Sequence, residues 1–392
     1  MRWKGGLWVG GALAAAGAVA AAVAVLGATA GGGDSLAAAG AAATWTTVYK
    51  SPLAIEGLSG DDDGNLYIAQ RGGGTTNPCP ILRLHPGSST TTLVGTVPAP
   101  CSPSGLTFDA AGKLYVTGVG TAQDTIDVLT PSDSAPPTAT QFATGVPGAN
   151  GIAFDAQGHL WATDGTTGQG RVWRILPGPN GNETHLMFHV PTMAQPNGVG
   201  RQVQTLQPPA AANTQATVAN GIAFSKDGSA VYVADTARGA IWKVSLDADG
   251  NVEDQLGCDP AYADKTLCFD SLDVQNPQLE GADGLVLDQS GNLWVAANER
   301  NAIVVVEPNG RVVQFFRNPV DGTTGLRNAG PLETPTSPMF LGHSFCITQS
   351  DGNRRDNSPN AAGEVGPGTG FLGKVSCLDD RLSIPGVPLP IR

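Results

Sequence analysis

Five polar residues, each followed directly by a glycine, stand at one position of a recurring segment: Glu56-Gly57, Ser104-Gly105, Asn150-Gly151, Asn220-Gly221 and Asp283-Gly284. Brought together, two carboxylates, two amide oxygens and a hydroxyl would make a hard-oxygen donor set, suited to Ca²⁺ or Mg²⁺ with water completing the shell. The two carboxylates would neutralise a dication. With no His or Cys at this position, a dedicated zinc or copper site is the weaker expectation. A lone Asn-Gly or Asp-Gly is ordinarily a turn. Five polar residues in register argue instead for a metal or ligand site.

The elements that must position them are copies of one short β unit. The unit reads Pro103 to Val116, Ala149 to Ala162, Ala219 to Val233 and Ala282 to Val295, with a weaker copy at Ile55–Ile68 and a degenerate one at Thr336–Ile347. In each, an apolar run ends in a residue such as Phe108, Phe154 or Phe224. A hairpin turn follows (Asp109 to Gly112, Asp155 to Gly158, Asp288 to Gly291), with Gly where a left-handed conformation is needed. A second strand then opens with Leu114-Tyr115-Val116, Leu160-Trp161-Ala162 or Leu293-Trp294-Val295. Third strands follow at Val172–Ile175, Ala240–Val244 and Ala302–Val306, and outer strands fit Thr91–Val94 and Val312–Phe316.

Six four-stranded units without intervening amphipathic helices predict an all-β fold, a six-bladed β-propeller of antiparallel blades around a central channel. The first strand of each blade lines that channel, so the five polar residues would ring one mouth. Ser337 is the corresponding position of the sixth copy. The spacing lengthens after Asn150 and after Asn220, which predicts looped insertions at about 177–218 and 247–280. Trp45–Tyr49 could pair with the last blade and close the ring.

The first thirty residues read as an export signal. Arg2 and Lys4 precede an uncharged Ala/Gly/Val-rich run from Gly5 to Gly27, and Ala28-Thr29-Ala30 suits a signal peptidase. An uncleaved membrane anchor is the alternative. Residues 31–44 read as an Ala/Gly-rich linker and residues 45–392 as the propeller domain. A secreted, periplasmic or cell-envelope location follows. The net charge of −12 argues against nucleic acid or an anionic membrane surface as partner, and a monomer is expected. Six cysteines in the exported part predict disulfides, with nearest-neighbour pairing Cys79–Cys101, Cys258–Cys268 and Cys346–Cys377 as one of several connectivities.

The pattern resembles the senescence-marker-protein/gluconolactonase (regucalcin-like) family of six-bladed propellers, whose members include calcium-dependent sugar lactonases. The resemblance rests on Glu56-Gly57, on Asn220–Ser225 with Tyr232–Asp235, and on Asp283-Gly284 with Gly291–Ala296. It implies Glu56, Asn220 and Asp283 as ligands of one divalent cation, with Ca²⁺ leading and Mg²⁺ or Zn²⁺ as alternatives. It also implies Asp283 as general base and Asn150 as a contact to substrate or metal-bound water. Ser104, on the same ring, joins Asn150 as a substrate contact. The implied reaction is hydrolysis of a lactone or related ester. The family's sugar lactonases tend to carry Arg two residues before the third-blade Asn, where this chain has Gly148, so the ring is better matched than sugar specificity.

Strictosidine-synthase-like propellers share the architecture, and Val233–Thr236 also resembles non-catalytic NHL repeats that bind a protein or polymer. That binding module is the alternative function, and a metal-stabilised scaffold without turnover is a third. Other motifs carry less. Gly33–Leu36 matches a lipase signature by letter alone. Asp61–Asn65 fills the hairpin-turn slot and lacks the distal Glu of a calcium loop. His185 and His189 lie in a β segment, not on one helix face, and His343-Ser344 lacks the context of a nucleophile elbow.

Overall fold

The computed structural model describes residues 32–389 except 72–75, 86, 121–122, 168, 191–216, 254–257, 260–266, 269–271, 324, 328–329 and 351–370. The leader therefore lies outside the described residues. Six sheets, each with a core of four antiparallel strands, form the expected propeller, and a short parallel pairing extends the edge of blade 3. From the channel outward, blade 1 is Ala54–Gly60, Leu66–Arg71, Cys79–Leu84 and Thr91–Val97, and blade 2 is Pro103–Phe108, Leu114–Gly120, Gln123–Leu129 and Thr140–Ala143. Blade 3 is Ile152–Phe154, Leu160–Thr163, Arg171–Gly178 and Gly181–His189. Blade 4 is Ala219–Phe224, Ala230–Asp235, Ala240–Ser245 and Leu272–Gln275. Blade 5 is Ala282–Leu287, Leu293–Ala297, Ala302–Val306 and Val312–Arg317.

Blade 6 takes three strands from the end of the chain (Pro335–Leu341, Ser344–Ser350, Gly373–Leu378). Its outer strand comes from the beginning, Trp45–Ser51, which pairs antiparallel with Gly373–Leu378 from Trp45↔Leu378 to Ser51↔Gly373. This closes the ring and removes two sheet edges at once. The Cys346–Cys377 disulfide joins directly opposed residues of that blade, and Cys79–Cys101 ties blade 1 to the connection that leads into blade 2. Cys258 and Cys268 are register partners in a two-residue hairpin whose Leu267 pairs with His189 at the edge of blade 3.

Two expectations are corrected. The segments read as looped insertions contain regular strands: Gly181–His189 is the outer strand of blade 3, and Leu272–Gln275 that of blade 4. Neither follows the Asp-x-x-Gly turn that marks the repeat, so nothing local announces them. The segment read as a linker holds the helix Gly32–Ala41, which packs on the outer strand of blade 5. Gly40 is buried there, and a Cβ on it would collide with the Phe315 carbonyl. High alanine content favours a helix, and the contact is tertiary, so no periodic apolar face announces it.

The repeat has a clear packing logic. The hairpin Asp accepts the backbone N–H four residues on through Oδ1, and through Oδ2 it accepts the polar tip of the aromatic six residues on. The second contact is 2.9 Å for Asp61–Tyr67, 3.1 Å for Asp109–Tyr115, 2.8 Å for Asp155–Trp161 and 3.0 Å for Asp288–Trp294. Burial, the hydrogen bond and the Asp charge together push the Tyr67 and Tyr115 phenols up to about 12. The turn glycines adopt left-handed φ, as expected (Gly64 79°, Gly112 77°, Gly158 82°, Gly291 82°). Each aromatic then meets the Phe ending the next blade's inner strand, edge to face: Tyr67–Phe108 at 4.8 Å, Tyr115–Phe154 at 5.1 Å, Trp161–Phe224 at 5.4 Å and Trp294–Phe340 at 5.5 Å. One turn residue thus fixes the rotamer that seals one blade to the next.

Candidate functional site

Glu56, Ser104, Asn220 and Asp283 sit in bulges, whereas Asn150 lies just before its strand, its backbone N donating to the Thr163 carbonyl. The inner-strand ladder slips between Ile55 and Leu58, Pro103 and Leu106, Ala219 and Ile222, and Ala282 and Leu285, so each polar-Gly pair drops out of regular pairing. A bulge re-aims a side chain at such a point. The glycines serve close approach, not a left-handed backbone. A Cβ on Gly57, Gly105, Gly151 or Gly221 would collide with the carbonyl of Ser104, Asn150, Asn220 or Asp283, the ring residue of the next blade.

Threonines on the second strands bridge the blades. Thr163 Oγ1 accepts from Gly151 N (3.0 Å) and donates to the Asn220 carbonyl (2.5 Å). Thr117 does the same between Gly105 N (2.7 Å) and the Asn150 carbonyl (3.2 Å), and Thr348 between Ser337 N (3.1 Å) and the Glu56 carbonyl. Thr163→Val keeps the volume but leaves two backbone groups without this partner. It is expected to cost about 1–3 kcal/mol, read from the urea midpoint.

The ring side chains connect as follows. Asn150 Nδ2 donates to Asn220 Oδ1 at 2.8 Å, and Asn220 Nδ2 donates to Thr236 Oγ1 at 2.9 Å. Asn298 Nδ2 donates to Asp283 Oδ2 at 2.9 Å. Glu56 and Ser104 meet at Arg71, which pairs with the Glu56 carboxylate, donates to Ser104 Oγ, and donates from Nε to the Pro103 carbonyl at 2.9 Å. Ser104, Asn150, Asn220 and Asp283 are buried; the Glu56 side chain is 13% exposed and that of Arg71 31%. Burial pulls the Arg71 guanidinium down to about 10 against the opposing effect of the Asp283 carboxylate, which leaves it protonated at neutral pH.

Arg71, Thr236 and Asn298 were not singled out from sequence, yet they share a register. Counted from Leu66, Leu114, Leu160, Val231, Leu293 and Phe345, the second-strand residues that face the end of each inner strand, blades 2, 3 and 6 place Thr117, Thr163 and Thr348 at the fourth residue. Blades 1, 4 and 5 have Ala69, Ala234 and Ala296 there, and two residues later Arg71, Thr236 and Asn298. Those three hold Glu56, Asn220 and Asp283. Aligning second strands as well as first strands would have found them.

Below the ring the channel turns apolar, lined by Leu58, Leu106, Ile152, Ile222, Leu285 and Met339. Val387 and Leu389 of the C-terminal tail line its far end, where Val387 N bonds the Leu287 carbonyl and Gly386 N the Gly342 carbonyl, both at 2.9 Å. The polar chemistry is therefore concentrated at the ring mouth. The discounted motifs have structural roles. His343 Nδ1 contacts the Leu382 carbonyl at 2.8 Å, and Asp235 accepts from Trp242 Nε1 at 3.0 Å and Arg238 at 2.8 Å. His185 and His189 lie opposite Arg174 and Arg171 in the edge pairing of blade 3.

Asp164, beside the ring, carries a pH signature. Burial pushes its carboxyl up to about 6, against the pull of Arg171 (Nε to Oδ2, 2.5 Å) and Thr167. Its folded value lies above its unfolded one, so its contribution is fully present below pH 4 and is lost as pH rises through 6. Between pH 5 and 7 this should cost the fold on the order of 1–2 kcal/mol. Urea midpoints at both pH values should fall less steeply for Asp164→Asn than for the wild type; equal slopes would reject the assignment.

Residues 203–332, spanning blades 4 and 5, match the family model described as the SMP-30/Gluconolactonase/LRE-like region. The chain carries an SMP-30/gluconolactonase-like region. That region contains Asn220 and Asp283 together with their partners Thr236 and Asn298. A Rhizobium meliloti protein named for sugar lactone lactonase activity is 29% identical over 126 residues, covering 32% of this chain and 35% of that protein. The match thus spans about a third of that relative's length. Two solved propellers share the fold. A gluconolactonase from Xanthomonas campestris has 16% identity and a TM-score of 0.53 over 88% of this chain and 90% of its own. The calcium-binding protein regucalcin from Agrobacterium tumefaciens has 19% identity and a TM-score of 0.51 over 85% and 93%. At these identities the likeness speaks to fold, and the SMP-30/gluconolactonase-like region carries the sequence link.

Proposed function

We propose that this chain hydrolyses a lactone or related ester at the ring mouth of its channel, as an exported enzyme. The observation that carries this reading is that the SMP-30/gluconolactonase-like region contains Asn220 and Asp283, each held by a residue just past the end of its blade's second strand. The donor set, two carboxylates and an amide carbonyl, fits a hard divalent cation. Glu56, Asn220 and Asp283 would hold it, and when bound it supplies Lewis acidity toward an ester carbonyl.

The chain's own residues do the rest. Asp283, oriented by Asn298, takes the proton of the attacking water as general base. Asn150, fixed against Asn220, and Ser104, fixed against Arg71, offer hydrogen bonds to the substrate. The disulfides Cys79–Cys101 and Cys346–Cys377 support an oxidising compartment. No helix among the described residues is long and apolar enough to cross a membrane.

The test is acid release in a pH-stat across aldonolactones and simple γ- and δ-lactones, with calcium and then with chelator. Chelator-sensitive hydrolysis is expected. Silence across the panel would reject this reading in favour of a binding propeller.

A further inference from the structure

The three ring residues expected to bind a cation are held in different ways. Asn220 and Asp283 are held by neutral groups, Thr236 and Asn298. Glu56 is held by a cation, and Arg71 is positioned to stay: its Nε is tied to the Pro103 carbonyl at 2.9 Å and its Nη2 to Ser104 Oγ. The Asp283 carboxylate acts on the same guanidinium from across the mouth. Among the described residues, Glu56 and Asp283 thus bring two negative charges to the ring and Arg71 one positive charge.

A divalent ion arriving at Glu56 must share the carboxylate with Arg71 or displace it, and sit beside a guanidinium that remains anchored to blade 2. Both effects oppose it, and like-charge repulsion is strong where water is partly excluded. An Arg fork also cannot be neutralised by losing its proton near neutral pH.

We propose that Arg71 is a resident counter-cation of the ring, competing with the divalent ion for Glu56 and thereby setting how much calcium the site needs. This rests on the reading of Glu56, Asn220 and Asp283 as the cation-binding set. Without calcium, Arg71 keeps the carboxylates from repelling one another, and with calcium it is displaced from Glu56 while still tied to Pro103 and Ser104. The ring would fill only where calcium is plentiful, as it is outside cells.

Calcium titration by calorimetry, on the full chain, tests this. Arg71→Gln is expected to bind calcium at least about tenfold more tightly than wild type, a difference of about 1.4 kcal/mol. Its melting temperature should fall without calcium and recover with it. Arg71→Lys keeps the charge and should stay closer to wild type. Arg71→Met, which keeps the aliphatic stem, gives the same reading should the glutamine variant fail to fold. Equal or weaker calcium binding by the neutral variants overturns the role of Arg71 while leaving the metal reading intact. Calcium binding by neither wild type nor the neutral variants overturns the metal reading first, and this inference with it. Binding by the neutral variants alone upholds Arg71 as the resident cation and rejects calcium dependence of the wild type.

Discussion

Asp283→Ala should lower kcat/KM for any lactone the wild type hydrolyses by about 10³-fold or more, because one carboxylate serves two purposes. It is the proposed base, and general-base catalysis alone contributes about 10²–10⁴-fold. It is also half of the negative charge that would hold the cation. The variant should remain folded: Asp283 lies at the channel mouth, and the group left behind, Asn298 Nδ2, costs about 1–3 kcal/mol when it loses this acceptor. Asp283→Asn removes both the basicity and the charge but keeps a carbonyl oxygen opposite Asn298, so the loss of activity comes at less structural cost. Both variants should be inactive in the pH-stat while their near-UV spectra match wild type. Wild-type turnover in either would remove Asp283 from the chemistry.

Trp294→Ala should be the most damaging single truncation for stability, at about 3–5 kcal/mol. The Trp294 ring is 1% exposed and lies among Phe315, Phe340 and Phe345, with centroids at 4.8, 5.5 and 5.2 Å. Those three rings belong to blades 5 and 6, so the cavity would open between the last two blades. Blade 6 completes the ring with the chain's first strand, which makes a weakened seam there costly to the whole circle. Its Nε1 also satisfies the buried Asp288 at 3.0 Å. Urea unfolding of the oxidised protein would measure the loss, and a shift below about 1 kcal/mol would mean the seam repacks.

What sequence reveals here follows from what is repeated locally. A hairpin Asp, a left-handed Gly and an aromatic six residues beyond the Asp must all be present in one short stretch, because they bond to one another. That unit is legible in four blades, and two looser copies, at Ala219 to Val233 and Thr336–Ile347, bring the count to six and leave a propeller as the economical fold. Glu56, Ser104, Asn150, Asn220 and Asp283 were legible for the same reason, as variable polar residues at one fixed position. The disulfides Cys79–Cys101 and Cys346–Cys377 followed from short separations, and closure by the first strand from a ring that needs a last partner.

Contacts between segments without a shared local signature were decided by the tertiary structure. Outer strands hidden in the long insertions, and the helix packed on blade 5, depend on a partner surface that exists only once the blades have formed. The role of the ring glycines is similar. The close approach they permit exists only where neighbouring inner strands meet at the axis. Arg71 is the sharpest case. By itself it is one arginine at the end of one strand, and its meaning comes from Glu56 beside it in blade 1, Ser104 in blade 2 and Asp283 across the mouth. The chain alone determined the ring and the residues that line it. The charge already seated among them appears only when the blades close, because electrostatic neighbours are set by distance in space and not along the chain.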